Sequence, residues 1–370
     1  MSLGTIQINR LNLMQGPLPE IERHFLFIGE GTVNQGKVLS VSNATDLDEA
    51  LGADASILKT QVEAAMVNAG QNWGASVLPI AADGSWADAV DYAMEVTSCE
   101  AIVITDPVTQ KTDIEAMFTK AKSILATYMR PVFFMASVRG CGADESWADY
   151  IAAIEPITDG VAADQVCVVP ALWGHDQGTL AGRLCNRAVT VADTPMRVAT
   201  GPLIGTFGER PTDKDGVMLS MAHLKALDAN RFSVPQWYPD YPGVYWGDCN
   251  MLDVPGGDFQ VVENLRVIQK AMRQVYPLTV ARIGDRRLNS TPESIAENSN
   301  YFMRPLMKMS LGSRIGKTIF PGEIHPPARD AITIQWVDKN TVRIYMKARP
   351  YNCPKDITVN LMLDLSTDKE

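Results

Sequence analysis

"AIVITDPVTQKTDIEAMFTKAKSILATYMRPVFFMAS" (Ala101–Ser137) decides how this chain folds. Ala101–Thr105 is apolar throughout, without the alternation of a half-exposed strand, so it reads as a strand buried on both faces. Asp113–Tyr128 carries the helical period, and "PVFFMAS" (Pro131–Ser137) is a second fully apolar strand. The same alternation extends on both sides. "HFLFIGE" (His24–Glu30), "GKVLSVS" (Gly36–Ser42), "ASVLPI" (Ala75–Ile80) and "DQVCVVPAL" (Asp164–Leu172) read as strands. Between them lie helical stretches. In "LGADASILKTQVEAAMVNAG" (Leu51–Gly70), Leu58, Val62 and Met66 share a face, and Gly70 is placed to end the helix. Thr45, with Asp48 three residues on, marks a helix start. "SWADAVDYAMEVT" (Ser85–Thr97) turns Trp86, Val90, Ala93 and Met94 inward, and "ADESWADYIAAI" (Ala143–Ile154) is a further helix. Buried strands alternating with helices imply a sheet covered on both faces, hence an α/β fold.

Working outward, the character changes after residue 200. Gly and Pro become dense, and aromatics gather at Trp237, Tyr238, Tyr241, Tyr245 and Trp246. Such a cluster can bind sugar rings or pin a long loop to the core. Asp258–Tyr276 is the strongest helical pattern in the chain. Val261, Leu265, Ile268, Met272 and Val275 lie on one face, Asp258 can cap it, and Pro277 is expected to stop it. A second helix is expected from a Ser290/Glu293 capping box, with Pro292 in its first turn and Pro305 kinking or ending it. "AITIQWVD" and "TVRIYMKARP" are two strands joined by a short turn. The expected organisation is an extended arm over 1–22, an α/β domain over 23–200, a second domain over 201–350 and a second arm over 351–370, α+β taken as a whole.

Both ends alternate with period two. At the C-terminus Ile357, Val359, Leu361, Leu363 and Leu365 interleave with Thr358, Asn360, Met362 and Asp364, a strand with one apolar face. At the N-terminus Ile6 and Ile8 alternate, then Leu11 and Leu13 one step out of phase. A bulge at Arg10 aligns the two pairs. Terminal tails are usually the loosest part of a domain, so two strand-like tails ask what covers them.

The chain has 370 residues, enough for two cores, and a net charge of −10, which argues against a general nucleic-acid binder. No stretch approaches the ~20 apolar residues of a membrane span, and "MSLGTIQINRLNLMQG" lacks the pattern of a signal peptide, so synthesis in a cytosol is expected. Six cysteines at 99, 141, 167, 185, 249 and 353, and four histidines at 24, 175, 223 and 325, form no metal-spaced group; no metal and no cofactor are expected. "GTVNQGKV" (Gly31–Val38) nearly spells a phosphate-binding loop, and "AIVITD" imitates the strand and Asp that hold magnesium. Val38 stands where that loop needs a hydroxyl, however, and a strand follows where it needs a helix N-terminus. No GxSxG elbow exists to give a Ser/His/Asp triad weight, so no catalytic residue is assigned. Arg286 and Arg287 could clamp a carboxylate or phosphate, or simply pair within the chain. From Arg266 to Lys317 the chain carries ten Lys/Arg against three Asp/Glu, leaving −17 for the remainder. That segment suits an acidic partner, an oppositely charged copy of the chain, or internal ion pairs.

Three stretches together resemble the sheath proteins of contractile phage tails and related injection machines. "DLDEALGADASILKTQVEAAMVNAGQNWGASVLPI" resembles the family's N-terminal signature at Leu51, Gly52, Leu58, Val62, Asn68, Gly70 and Val77. "GVYWGDCNMLDVPGGDFQVVENLRVIQKAM" resembles its mid-chain Gly-aromatic-Trp-Gly turn and long helix, although "WGDCNML" stands where many sheaths carry an Arg-Thr pair. "YMKARPYNCPKDITVNLMLDL" resembles its C-terminal strand, Arg-Pro and terminal strand.

The resemblance implies a non-enzymatic subunit that polymerises as hexameric rings in a helical sheath around a tail tube. The sheath would contract to drive the tube through the host envelope, with baseplate and terminator proteins as further partners, and neither nucleic-acid binding nor membrane insertion. The subunit would be assembled in the bacterial cytoplasm and carried in the virion tail. Ile6, Ile8, Leu11, Leu13, Ile357, Val359, Leu361 and Leu363 would then add strands to a neighbouring copy's sheet. "QGPLP" and "RPYNCP" would serve as hinges. Arg266, Lys270, Arg273, Arg304, Lys308, Arg314 and Lys317 are the candidates for the face that meets the tube. The competing expectations are an α/β enzyme with a degenerate phosphate loop and another tail component.

Overall fold

The computed structural model describes residues 21–362. Expected arm residues Ile6, Ile8, Leu11, Leu13 and Leu363 lie outside that range. Along the chain run β1 (Phe25–Glu30), β2 (Leu39–Ser42), α1 (Leu47–Leu51), α2 (Ile57–Ala69), β3 (Gly74–Ile80), α3 (Trp86–Val96) and β4 (Ala101–Pro107). They continue with α4 (Lys111–Tyr128), β5 (Phe133–Val138), α5 (Trp147–Thr158), β6 (Ala163–Pro170), α6 (Asp176–Cys185), α7 (Met221–Ala229), β7 (Pro235–Tyr238), β8 (Tyr241–Trp246) and β9 (Met251–Leu252). The last part holds α8 (Val262–Val280), α9 (Pro292–Met309), β10 (Ser313–Ile315), β11 (Thr318–Phe320), β12 (Ile332–Trp336) and β13 (Val342–Met346).

The apolar strands form one sheet in the order β2-β3-β1-β4-β5-β6-β9. The five inner strands are parallel, and β2 and β9 close the two edges antiparallel. The unbroken apolar character of the inner strands follows from their burial on both faces. Along β1, Leu26 and Ile28 enter a core with α3, α4, α5 and α7, while Phe25 and Phe27 enter the opposite core with α1, α2 and α6. On that second face α6 lies against α2 backbone to backbone. A Cβ on Gly178 would fall 2.0 Å from the Gln61 carbonyl oxygen, and one on Gly182 2.4 Å from that of Ala65.

The change of composition near residue 200 does not coincide with a change of core. Leu219, Leu224, Leu227, Phe232 and Val234 complete one face of the sheet, and Leu203, Trp246, Cys249 and Met251 the other. Gly and Pro density there reflects a chain that returns to cap an edge through turns. A second, smaller core begins on α8: Val262 and Leu265 still face the sheet, whereas Val267 and Ala271 join Phe302, Leu306, Met309, Ile324, Ile332 and Ile334.

Several helix ends differ from expectation. The first helical stretch divides into α1 and α2; α1 is capped by Asp46, whose side chain accepts from the Asp48 and Glu49 N–H groups. In α8 Asp258 does not cap; the helix starts at Val262 and runs through Pro277 to Val280. α9 is capped by Thr291 with Pro292 in its first turn, and passes through Pro305. Pro277 and Pro305 sit within a turn of the helix C-termini, where few further hydrogen bonds are at stake, so burial of one face outweighs the break.

Candidate assembly surfaces

β12 and β13 form a two-stranded antiparallel hairpin through a loop whose Val337 N–H donates to the Thr341 carbonyl. Ile332 and Ile334 of β12 are buried in the smaller core. A hairpin alone is marginal in water, and this one depends on packing against α9. Among the described residues no further strand joins it, so it presents sheet edges to solvent.

After β13 the chain is strapped down residue by residue. His325 N–H donates to the Arg349 carbonyl, Pro350 bridges Ile324, and Tyr351 lies on the His325 ring at 3.8 Å. Cys353 Sγ contacts the Ala192 carbonyl, and Lys355 Nζ reaches Asp248 and, at 2.8 Å, Glu263. Beyond it Ile357 and Val359 are 72% exposed and Leu361 92%. Among the described residues, the expected terminal strand is therefore neither paired within the subunit nor buried on its apolar positions Ile357, Val359 and Leu361.

The seven basic candidates divide. Arg266, Lys270 and Arg273 face inward, a correction to their assignment as a docking face. Arg266 is 2% exposed and donates through Nε and an Nη to Glu100, itself 0% exposed, at 2.7 and 2.8 Å. Burial alone would push the Glu100 carboxyl up; the Arg266 guanidinium, with the Arg273 charge and the Arg23 N–H, outweighs it and leaves Glu100 below the usual carboxylate range. Lys270 pairs with Glu323 at 2.7 Å, and Arg273 with Glu22 at 3.4 Å. The physical reason is the helical period: these residues share one flank of α8, and that flank is covered. Of the other two clustered arginines, Arg287 pairs with Asp285, which also holds Arg282. Arg304, Lys308, Arg314 and Lys317 are exposed. They lie along the end of α9 and the β10–β11 hairpin, beside Met307, Leu311 and Ile319, which are 56%, 69% and 78% exposed.

The elements that suggested an enzyme are arranged otherwise. In Gly31–Val38 the Gly31 and Gly36 N–H groups donate to the Ile80 and Pro79 carbonyls of β3, so they do not point at a phosphate. β2, not a helix, follows. At the C-terminal ends of β1 and β4, where a doubly wound sheet opens its binding crevice, Thr105 packs directly over Gly29 and Pro79 over Gly31. Asp106 accepts from the Glu30 N–H. Asp176, at the start of α6, was not singled out by sequence reasoning; burial pushes its carboxyl to about 7. It is 0% exposed, so it cannot reach a substrate. The aromatic cluster is split: Trp246 is buried in the core, while Trp237, Tyr238 and Tyr241, with Trp173, Phe207 and Arg210, line an open cleft of about 540 Å³.

Comparison with known proteins bears on the whole chain. Residues 3–250 match the family described as DUF2586, N-terminal domain, and residues 258–366 that described as DUF2586, C-terminal domain. A protein of Haemophilus phage HP1 (strain HP1c1), whose name places it in the tail sheath, is 46% identical over 370 residues, 98% of each chain. The fold is shared with a subunit of the sheath of the PVC extracellular contractile injection system in its contracted state. That match has a TM-score of 0.60 and 13% identity, over 99% of this chain and 98% of the other. It is shared also with a chain of the six-fold baseplate of the anti-feeding prophage, with a TM-score of 0.59 and 13% identity over 98% and 100% of the two chains. The sheath tail protein of Desulfitobacterium hafniense matches with a TM-score of 0.54 and 11% identity over 95% and 96%. Two family models spanning nearly all the residues and a relative alike from end to end lead to one conclusion: the chain belongs to the DUF2586 family, among the sheath proteins of contractile phage tails.

Proposed function

We propose that this protein is the structural subunit of a contractile tail sheath, polymerising as stacked six-membered rings around a tail tube and contracting to drive that tube through a host envelope. The observation that carries the reading is the terminal segment 356–362, which leaves a well-packed body with Ile357, Val359 and Leu361 bare. A neighbouring copy's β12–β13 hairpin offers the open edge such a strand needs, by strand addition. The N-terminal residues Ile6, Ile8, Leu11 and Leu13, and Leu363, belong to the same exchange.

Energetics favour a collective device. Burying four aliphatic side chains contributes about 6–12 kcal/mol at ~1.5–3 each. Ordering eight residues costs about 8–16 kcal/mol at ~1–2 each, and strand hydrogen bonds return about 1 kcal/mol apiece. One arm is close to balance, so stability comes from a lattice in which every copy gives and receives. The subunit itself is not catalytic, and contraction draws on energy held in the extended assembly. Assembly takes place in the bacterial cytoplasm, capped by baseplate and terminator proteins, and the product resides in the virion tail. The exposed quartet Arg304, Lys308, Arg314 and Lys317 faces the tube.

Electron microscopy of the concentrated, purified chain tests this. Full-length protein is expected to form hollow tubes, and a chain ending at Lys355 is expected to stay monomeric with an unchanged thermal midpoint. Tubes formed equally well without residues 356–370 would overturn the strand-exchange reading.

A further inference from the structure

Four ion pairs lie along one flank of α8. At ~100° per residue, Glu263, Lys270, Arg266 and Arg273 fall within about a quarter turn of one another. Each reaches a different part of the molecule. Glu263 holds Lys355, the last strapped residue before the C-terminal arm. Arg266 holds both oxygens of Glu100, just before β4, and Glu100 Oε2 also accepts the Arg23 N–H at 2.6 Å. Lys270 holds Glu323, next to Ile324, which bridges Pro350. Arg273 holds Glu22, at the foot of the N-terminal segment, and also reaches the Pro131 carbonyl. All eight partners are largely or wholly covered, Lys355 being the most exposed at 27%.

We infer that α8 is a common root for both arms: its inward charged flank anchors the N-terminal segment at Glu22–Arg273 and the C-terminal segment at Lys355–Glu263, roughly 15 Å apart along one rigid axis. The inference rests on the strand-exchange reading above and deepens it. Two arms fastened to a single helix leave the body with a fixed spacing, so the register in which a neighbour can accept them is a property of the subunit. The same helix crosses from the sheet core into the smaller core, so a rotation of the body carries both roots together.

Lys355 is a suitable anchor because it answers two carboxylates at once. Asp248, in the turn after β8, and Glu263, in the first turn of α8, are 15% and 7% exposed and both flank residues of the sheet core. Without the ammonium these like charges would face each other under cover. Below the anchor the chain is tied at Arg349, Pro350, Tyr351 and Cys353; above it the described residues 356–362 are exposed. The positioning residues on the other root are Glu22 and Arg273.

The test uses the full chain in two measurements. Trypsin cleavage after residue 355 in the monomer reads the anchor directly, because a lysine held by two carboxylates is withheld from the protease. D248N/E263Q is expected to release the 356–370 peptide at least tenfold faster than wild type. An unchanged rate would overturn the anchor. Polymerisation reads the role of both roots: K355M and E22Q are expected to raise the protein concentration needed for tubes at least tenfold, and K355R to leave it unchanged. A local stabilising contact would move the thermal midpoint and not this threshold. Tubes of wild-type helical twist formed by K355M at the wild-type concentration would overturn the shared root. If wild-type protein forms no tubes, the sheath reading fails, and the cleavage rates alone decide the anchor.

Discussion

The sheet core and the smaller core are built to different standards of completeness. In the first, the five inner strands are covered on both faces, and the outermost, β2 and β9, run antiparallel to the parallel interior. In the second, α8 and α9 pack on a hairpin with open edges, and the following segment ends with bare aliphatic side chains. Both lie in one chain, so the contrast is not one of composition. Self-sufficiency is concentrated in one region, and open edges and bare apolar side chains in the other. The proposed strand exchange would gain from this separation, because it would proceed without loosening the core that keeps the monomer folded.

The buried pair between the two regions is where the contrast is easiest to break. Arg266→Ala removes the cation from a fully covered carboxylate, and is expected to cost about 3–5 kcal/mol, read as a lowered urea midpoint. The pH dependence follows from the same pair. The folded carboxyl of Glu100 titrates below its unfolded value, so its contribution is present above the ordinary carboxylate range and is lost as pH falls through the folded pKa. Wild type is therefore expected to lose stability on acidification through and below pH ~4. Glu100→Gln removes that share of the acid sensitivity.

Within the sheet core, the approach of α6 to α2 is the sharper probe. Gly182→Val would place a Cβ 2.4 Å from the Ala65 carbonyl oxygen, a backbone atom that cannot step aside alone. The expected cost is about 1–3 kcal/mol of monomer stability, from forced separation of the helices. Urea unfolding followed by far-UV circular dichroism reads it. An unchanged midpoint would mean that the two helices are not held as closely as described.

The sequence exposed the two regions unequally, for physical reasons. Strands such as Ala101–Thr105 and Phe133–Ser137 are legible because burial on both faces leaves a continuous apolar run. The terminal alternation is legible as a period of two, although the described residues 356–362 form no strand within the subunit. Helix ends were less so: Asp46, Thr291 and Val261 took the capping positions that Thr45, Ser290 and Asp258 also fitted. The basic segment misled most. A charge count cannot distinguish Arg266, whose carboxylate is 166 residues away, from Arg314 in solvent. Helical phase could have separated them, since Arg266, Lys270 and Arg273 share a flank of α8.

That separation sets the smallest expected effect on folding and the most specific one on assembly. Arg314 and Lys317 lie at the β10–β11 hairpin, whose turn places Gly316 at φ +60°, with Arg314 paired in register to Ile319. Both side chains are exposed, so R314E/K317E is expected to change monomer stability by no more than about 0.5 kcal/mol. If this hairpin is the tube face proposed above, the charge reversal acts instead on association, and most strongly at low salt, since exposed charges are screened over a Debye length of about 8 Å at physiological ionic strength. The variant is therefore expected to keep its thermal midpoint and its capacity for strand exchange, while losing co-sedimentation with purified tail tubes at 50 mM salt. Binding equal to wild type would move the tube face elsewhere on the smaller core. A lowered midpoint would show that the hairpin charges, like those of α8, serve the fold.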